Sequence, residues 1–400
     1  MSNVVSNRSI DNTSNKNFFS KRNTLILIFT FLLSIALVSL SIIYVLKIDW
    51  ENLFIQIYHG STQTWGWVWL LLITLFIPWT FFCRAFTITI KIEQLGYKVK
   101  FWDKFMYAVT ISFLALVTPA NFVTDPYTIF WLKTHKINTS KAAALTTCNA
   151  LLWEIAQLII TMPSFIWMIM NWQSIFGQGA IDRQSGLIVF IFMIIGMLFN
   201  FIGLAFMIII GFNKKLHYLV SRIFNWVKKL LHMSYHVKTE TYQTYVVEAK
   251  MQREFLIIFK MWKSTIFILT IVIIDEIYLY FTIVMCIKFL AEINGDYFKL
   301  NIWEIFNVAN VTTTANRFVP LPGNEFSIEW IMKEFMCTKI GGIQPWPITS
   351  DDDTTVLINN SIMIWRTWTS YFPAMIGAFG FGFLTINQVK QYRKKTLVQN

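Results

Sequence analysis

Arg366 is the only charged side chain between residues 354 and 389, an otherwise uncharged and largely apolar stretch. A cation at the centre of a bilayer costs about 2.5–3.5 kcal/mol even on lenient insertion scales, so this side chain must face the interior of a bundle and find a partner. A guanidinium fork matches a phosphate headgroup, which is one use for it. A structural ion pair, with Glu154 of stretch 142–171 as the candidate carboxylate, is the other. Further polar groups flank two interruptions of apolar sequence. Arg317 precedes, and Glu325 and Glu329 follow, the break Pro320-Leu321-Pro322-Gly323-Asn324. Asp125 closes a break that runs from Thr118-Pro119-Ala120-Asn121 to Asp125-Pro126, where it reads as an N-cap followed by proline at N1 or as a residue of a pathway. Asp275 and Glu276 interrupt stretch 264–287; neighbours on a helix point about 100° apart. One of them suits proton coupling and the other an ion pair. These residues can recognise an anion and carry charge, and nothing beside them resembles a nucleophile elbow or a cysteine–histidine pair.

The elements that position them must be membrane helices. The chain has 400 residues, 55% hydrophobic and 14% charged, with mean hydropathy +0.51, far from the composition of a soluble domain. Uncharged runs of about 20 residues, enough to cross ~30 Å of hydrocarbon, occur at 24–46, 65–83 and 186–212. Runs 142–171, 264–287 and 354–389 carry the isolated charges already named. The first run is too long and uniform for a secretory signal. Cys83, Cys148, Cys286 and Cys337 have no ligand-like spacing, so neither a metal nor a disulfide framework is expected. His232 and His236 lack the glutamate of a zinc-protease motif and read as ordinary linker residues. The net charge of +12 sits in loops, which cytoplasmic retention explains better than nucleic acid. The 17 tryptophans and 14 tyrosines suit interfacial belts.

Non-helical backbone inside a bilayer survives only where protein or a wet cavity surrounds it. Paired interruptions in two halves point to a binding site at the midplane of a transporter. If 105–132 and about 305–335 are re-entrant hairpins, the loops sort by charge: 1–23, 84–104, 133–141, 214–263 and 390–400 hold 26 Lys and Arg on one side, against six in 47–64, 173–185, 288–304 and 333–353 on the other. The basic side is then cytoplasmic. Reading 105–132 as a plain 28-residue span would instead export Lys133, Lys136, Lys141 and the ten basic residues of 214–263. The expected fold is all-α, a polytopic membrane helix bundle of about six spans plus two re-entrant helical hairpins in an inverted repeat. Its parts are a cytoplasmic N-terminal tail (1–23), a first transmembrane half (24–213), a basic cytoplasmic linker (214–263), a second half (264–389) and a basic cytoplasmic tail (390–400). The linker reads either as amphipathic helix on the anionic leaflet or as a solvated connector.

Pro320-Leu321-Pro322-Gly323, then Glu329, then a helix bearing Arg366 and Tyr371, resemble the P-x-P-G-G-x-G-x-x-E signature and downstream arginine helix of the lysylphosphatidylglycerol synthase transmembrane-region (flippase-like domain) family. Arg84, Pro119, Asp125 and Glu154 are similar to that family's N-terminal half. The chain departs from the pattern at Asn324 and Phe326, where glycines are usual, and around Asn121 to Tyr127, where glycine and arginine are usual. The resemblance implies the lipid-translocating part without the soluble aminoacyl-transferase domain that some members append. The expected function is translocation of an anionic or lipid-linked headgroup across the plasma membrane, with both termini cytoplasmic. Arg366, Arg317, Glu329, Pro322, Gly323, Asp125 and Glu154 would serve the substrate, and Asp275 and Glu276 proton coupling. No enzymatic activity, catalytic residue or cofactor is expected, and no G-x-x-x-x-G-K-[ST] loop would couple the chain to ATP. An intramembrane lipid-modifying enzyme and an ion-coupled transporter of a small polar solute are the alternatives.

Overall fold

A computed structural model describes residues 21–62, 65–118, 123–171, 183–212, 249–293, 301–316, 321, 327–336 and 351–382. Among these residues every regular element is a helix. The order is α1 (Lys21–Leu40, extended by a π-helical segment Ser41–Leu46), α2 (Trp50–Thr62), α3 (Gly66–Gln94), α4 (Phe101–Val117), α5 (Thr124–Thr134), α6 (Thr139–Met170) and α7 (Arg183–Phe212). Then follow α8 (249–259), α9 (Trp262–Ile293), α10 (Ile302–Ala315), α11 (Ser327–Met336) and α12 (Asp351–Arg366). The last continues through a π-helical segment, Thr367–Tyr371, to residue 382. Five of the described helices are long and apolar enough to cross a membrane: Ile28–Leu46, Gly66–Gln94, Thr139–Met170, Phe190–Ile209 and Trp262–Leu290. The sixth expected span, 354–389, is helical as far as residue 382 but too polar in composition to join them, because asparagine, hydroxyl and arginine side chains fill its middle.

Both expected hairpins are present as pairs of short helices. With 17 and 11 residues, α4 and α5 reach only about 25 and 16 Å, short of the ~30 Å of hydrocarbon. α4 stops where Thr118 turns extended at φ −115° and ψ 134°. The arms run antiparallel: the Tyr107 ring packs tilted on Trp131 at 4.4 Å and its hydroxyl hydrogen-bonds Thr128 at 3.0 Å, while the earlier Asp103 faces the later His135 at 3.7 Å. In the second half, α10 and α11 have 14 and 10 residues and pack through Val311 and Ala315 against Ile331 and Phe335.

Helix directions follow from the side-chain pairs. Tyr278 of α9 donates to the Leu72 carbonyl at 2.5 Å, whereas Lys91 meets Thr265 at 3.1 Å, so α3 and α9 are antiparallel. Leu152 and Ala156 of α6 cluster with Ile268 and Val272 of α9, and both Cys148 and Thr265 meet Lys91, which makes α6 and α9 parallel. Gln157 meets Thr314 and Ser164 meets Asn307, so α10 runs against α6. The first hairpin therefore enters from the end where α3 stops and α6 begins, and the second from the opposite end. This is the inverted arrangement that the charge pattern called for. Two main apolar cores result, one around α4, α5, α6 and α8, the other around α9 to α12 with Leu46, Leu53, Ile73 and Ile160 of the first half packed into it.

Several expectations need correction. Loop 47–64 is largely the helix α2, which packs on α3 and α9. Arg84 and Lys91, counted among loop charges, lie inside α3, and Lys91 is buried. Of the linker, 214–248 lies outside the described residues. Its end is the helix α8, which buries Phe255 and Ile258 in the core around α4 and α5 and leaves Arg253 and Ile257 exposed.

Candidate functional site

α12 ends its α-helical part at Arg366, and α11 carries Glu329 in its first turn. These two helices are neighbours, and the two side chains meet. Arg366 Nε donates to Glu329 Oε1 at 2.7 Å, and Arg366 Nη1 donates to Ser370 Oγ at 2.9 Å. Tyr371 O–H donates to the same Glu329 oxygen at 3.4 Å. The guanidinium carbon lies 5.8 Å from the Trp365 ring centre and 5.6 Å from that of Tyr371, within cation–π range. Arg366 is 4% exposed and Glu329 0%. Glu329 Oε2 is buried and makes no hydrogen bond.

The π-helical segment is what assembles this group. Thr367 and Thr369 hydroxyls donate back to the Met363 and Trp365 carbonyls, each at 2.7 Å. Such back-bonding competes with the helix ladder and bends it. In the resulting i→i+5 geometry Tyr371, five residues after Arg366, lies over it instead of on another face. The run Thr367-Trp368-Thr369-Ser370 does not by itself mark this turn, because Thr89, Thr146 and Thr270 back-bond in the same way within ordinary α-helix, and Ser370 was passed over with it.

A second charged group lies between α3, α4 and α9. Arg84 Nη1 donates to Ser112 Oγ at 2.9 Å, and the charges of Asp275 and Glu276, both buried, act on the guanidinium. Both acids thus lie within electrostatic reach of Arg84, although neighbours on a helix point about 100° apart.

A third feature is a buried polar seam between α6 and α10. Thr161 donates to Asn310 Oδ1 at 2.9 Å, Asn310 Nδ2 donates to the Ile160 carbonyl at 3.0 Å and to Ser164 Oγ at 2.9 Å, and Ser164 donates to Asn307 Oδ1 at 2.8 Å. Asn307, Asn310 and Thr314 follow an i, i+3, i+7 stripe, and Gln157, Thr161 and Ser164 a matching one. Those spacings were legible, but the search for charges missed them.

The predicted residues divide accordingly. Arg366 and Glu329 come together, so the carboxylate beside Arg366 is Glu329 and not the Glu154 that had been the candidate. Glu154 lies partly buried on α6. Asp125 is exposed in the first turn of α5, whose N-cap is Val123; the N-cap reading of Asp125 is therefore corrected. Arg317, Pro322 and Gly323 lie outside the described residues.

Comparison with known proteins adds to this geometry. The family model described as the lysylphosphatidylglycerol synthase transmembrane region matches residues 28–292. That match covers α1 to α9 and stops short of the Pro320 signature, so the half with the looser motif is the one it supports. The uncharacterized protein MG306 of Mycoplasma genitalium is 22% identical over 382 residues, covering 94% of this chain and 93% of its own. Its homolog in Mycoplasma pneumoniae is 24% identical over 370 residues, covering 91% and 89%. No solved structure matches the chain.

Proposed function

The chain belongs to the lysylphosphatidylglycerol synthase transmembrane-region family, and from that premise we propose that it moves an anionic or lipid-linked headgroup across the plasma membrane between its two inverted halves. The observation that carries this reading is the Arg366–Glu329 pair, buried where a hairpin arm meets the last helix. Glu329 neutralises the guanidinium while no substrate is bound. A phosphate reaching the pair would compete for the same fork, which binds two oxygens side by side. Tyr371 already donates to Glu329, so the carboxylate keeps a donor when Arg366 turns to the headgroup. Arg84 of the first half, with Asp275 and Glu276 of the second, supplies a second charged station. Acyl tails stay in lipid and no covalent bond changes. Both termini face the cytoplasm in this reading, on the side with most of the Lys and Arg.

The test is movement of headgroup-labelled phospholipid in proteoliposomes. Wild-type protein should equilibrate the label between leaflets. Arg366→Lys, which keeps the charge and loses the fork, should slow it by about tenfold or more, the equivalent of one charge-assisted hydrogen bond of about 1.5–3 kcal/mol. Uptake of a soluble solute without lipid movement would overturn the proposal, and so would a covalently altered lipid recovered by chromatography.

A further inference from the structure

A groove of about 400 Å³ opens between α3, the start of α4 and the end of α12. Its walls include Pro78, Phe81 and Phe82 of α3, Phe105 of α4 and Ile376 of α12; among the described residues Lys104 is the only charged one that lines it. Lys104 is largely buried: its Nζ lies 5.5 Å from the centre of the Phe86 ring and pairs with the half-exposed Glu93. We propose that this groove holds one acyl chain of an anionic glycerophospholipid, with the phosphate of that lipid at Lys104.

Three features select this occupant. The groove runs along α3 from Phe86 to Ile77, nine residues or about 14 Å of helix, close to half of the ~30 Å hydrocarbon thickness. That is the depth of one leaflet. Among the described residues its walls offer no hydrogen-bonding side chain below Lys104, so a peptide segment would leave backbone groups unsatisfied there, whereas a hydrocarbon tail would not. The mouth matches an anionic headgroup: an ammonium has three donors, and the Glu93 carboxylate takes one of them. Phe101 and Trp102 stand exposed beside it, in the manner of aromatic side chains that sit at headgroup level. The groove spans both halves, since α4 belongs to the first hairpin and Ile376 to the second half. A resident lipid would therefore wedge the seam at which the halves meet. This site is separate from the Arg366–Glu329 pair and does not depend on the translocator reading.

The test places the full chain in phosphatidylcholine nanodiscs doped with a phosphatidylglycerol that carries a photoreactive group on one acyl chain. Adducts are mapped by mass spectrometry, a readout that needs no transport. Adducts should concentrate on residues 77–86 and 101–105, and Ile376→Trp, at a half-exposed position, should displace them. The phosphatidylglycerol probe should outcompete the matching phosphatidylcholine probe about fivefold, and Lys104→Gln should remove that preference, since one basic side chain at the surface contributes about that factor. Equal labelling by both probes in the wild type would reduce the groove to ordinary annular lipid. Adducts unaffected by Ile376→Trp, or crosslinks between two copies of the chain through this face without lipid adducts, would also overturn the proposal.

Discussion

Arg366 serves fold and substrate with one set of atoms, and the two roles separate by experiment. Removing one partner of a buried ion pair strands the other, at a cost of about 3–5 kcal/mol. Arg366→Ala and Glu329→Ala should therefore each lower the melting temperature in detergent. The exchange Arg366→Glu with Glu329→Arg restores opposite charges and should recover most of that loss. It should not recover lipid movement, because the fork then projects from α11 instead of α12. Transport in the exchanged protein would assign the pair to structure alone. At this scale the sequence was informative about Arg366, since a lone cation in lipid must be partnered. It could not name Glu329 over Glu154, because both lie on apolar segments and only packing decides which is adjacent.

Elements in this protein meet in two ways, by polar stripes and by close approach of small residues. The α6–α10 seam is the first kind. Asn310 makes three hydrogen bonds to α6, so Asn310→Leu should destabilise the chain, by about 1–2 kcal/mol if interhelical bonds in bilayers average about 0.6 kcal/mol each. Two glycines show the second kind. A Cβ on Gly377 of α12 would lie 2.5 Å from the Val109 carbonyl oxygen of α4, and one on Gly196 of α7 would lie 2.4 Å from Ala315 Cα of α10. Each glycine seats a long helix on the first arm of a hairpin. Gly377→Ala and Gly196→Ala should each force the backbones apart and cost about 1–3 kcal/mol, measured as a fall in thermal stability in detergent. The hairpins themselves were legible, since broken apolar segments of half-membrane length admit few other structures. The π-helical turn after Arg366 was not, because threonine back-bonding is common in ordinary helices and only its outcome here distinguishes it.

At the scale of the whole molecule, the two hairpins enter from opposite ends, and this makes a topological prediction. In a background without native cysteines, Lys133→Cys should react with impermeant reagents only from the cytoplasmic side, and Thr62→Cys only from outside. Labelling of Lys133→Cys from outside would invert the orientation and remove the cytoplasmic placement of the termini. The charge count behind the prediction remains lopsided even after Arg84 and Lys91 are moved from loop to helix interior, because the remaining basic residues of that side still far outnumber the opposite side.

Hydropathy and charge alone established that the chain is a helical membrane bundle with two interruptions and a basic side. Those properties follow from the bilayer, which imposes its thickness and its dryness on any chain, whatever the fold. Partnership was settled only in three dimensions: Arg366 with Glu329, Arg84 near Asp275 and Glu276, α8 docked in the first core, and the groove below Lys104. Each depends on residues 37 to more than 200 positions apart or on the rotation of one helix about its axis. Hydrophobic periodicity does not encode such relations, since lipid and a neighbouring helix are equally apolar to the residues that face them.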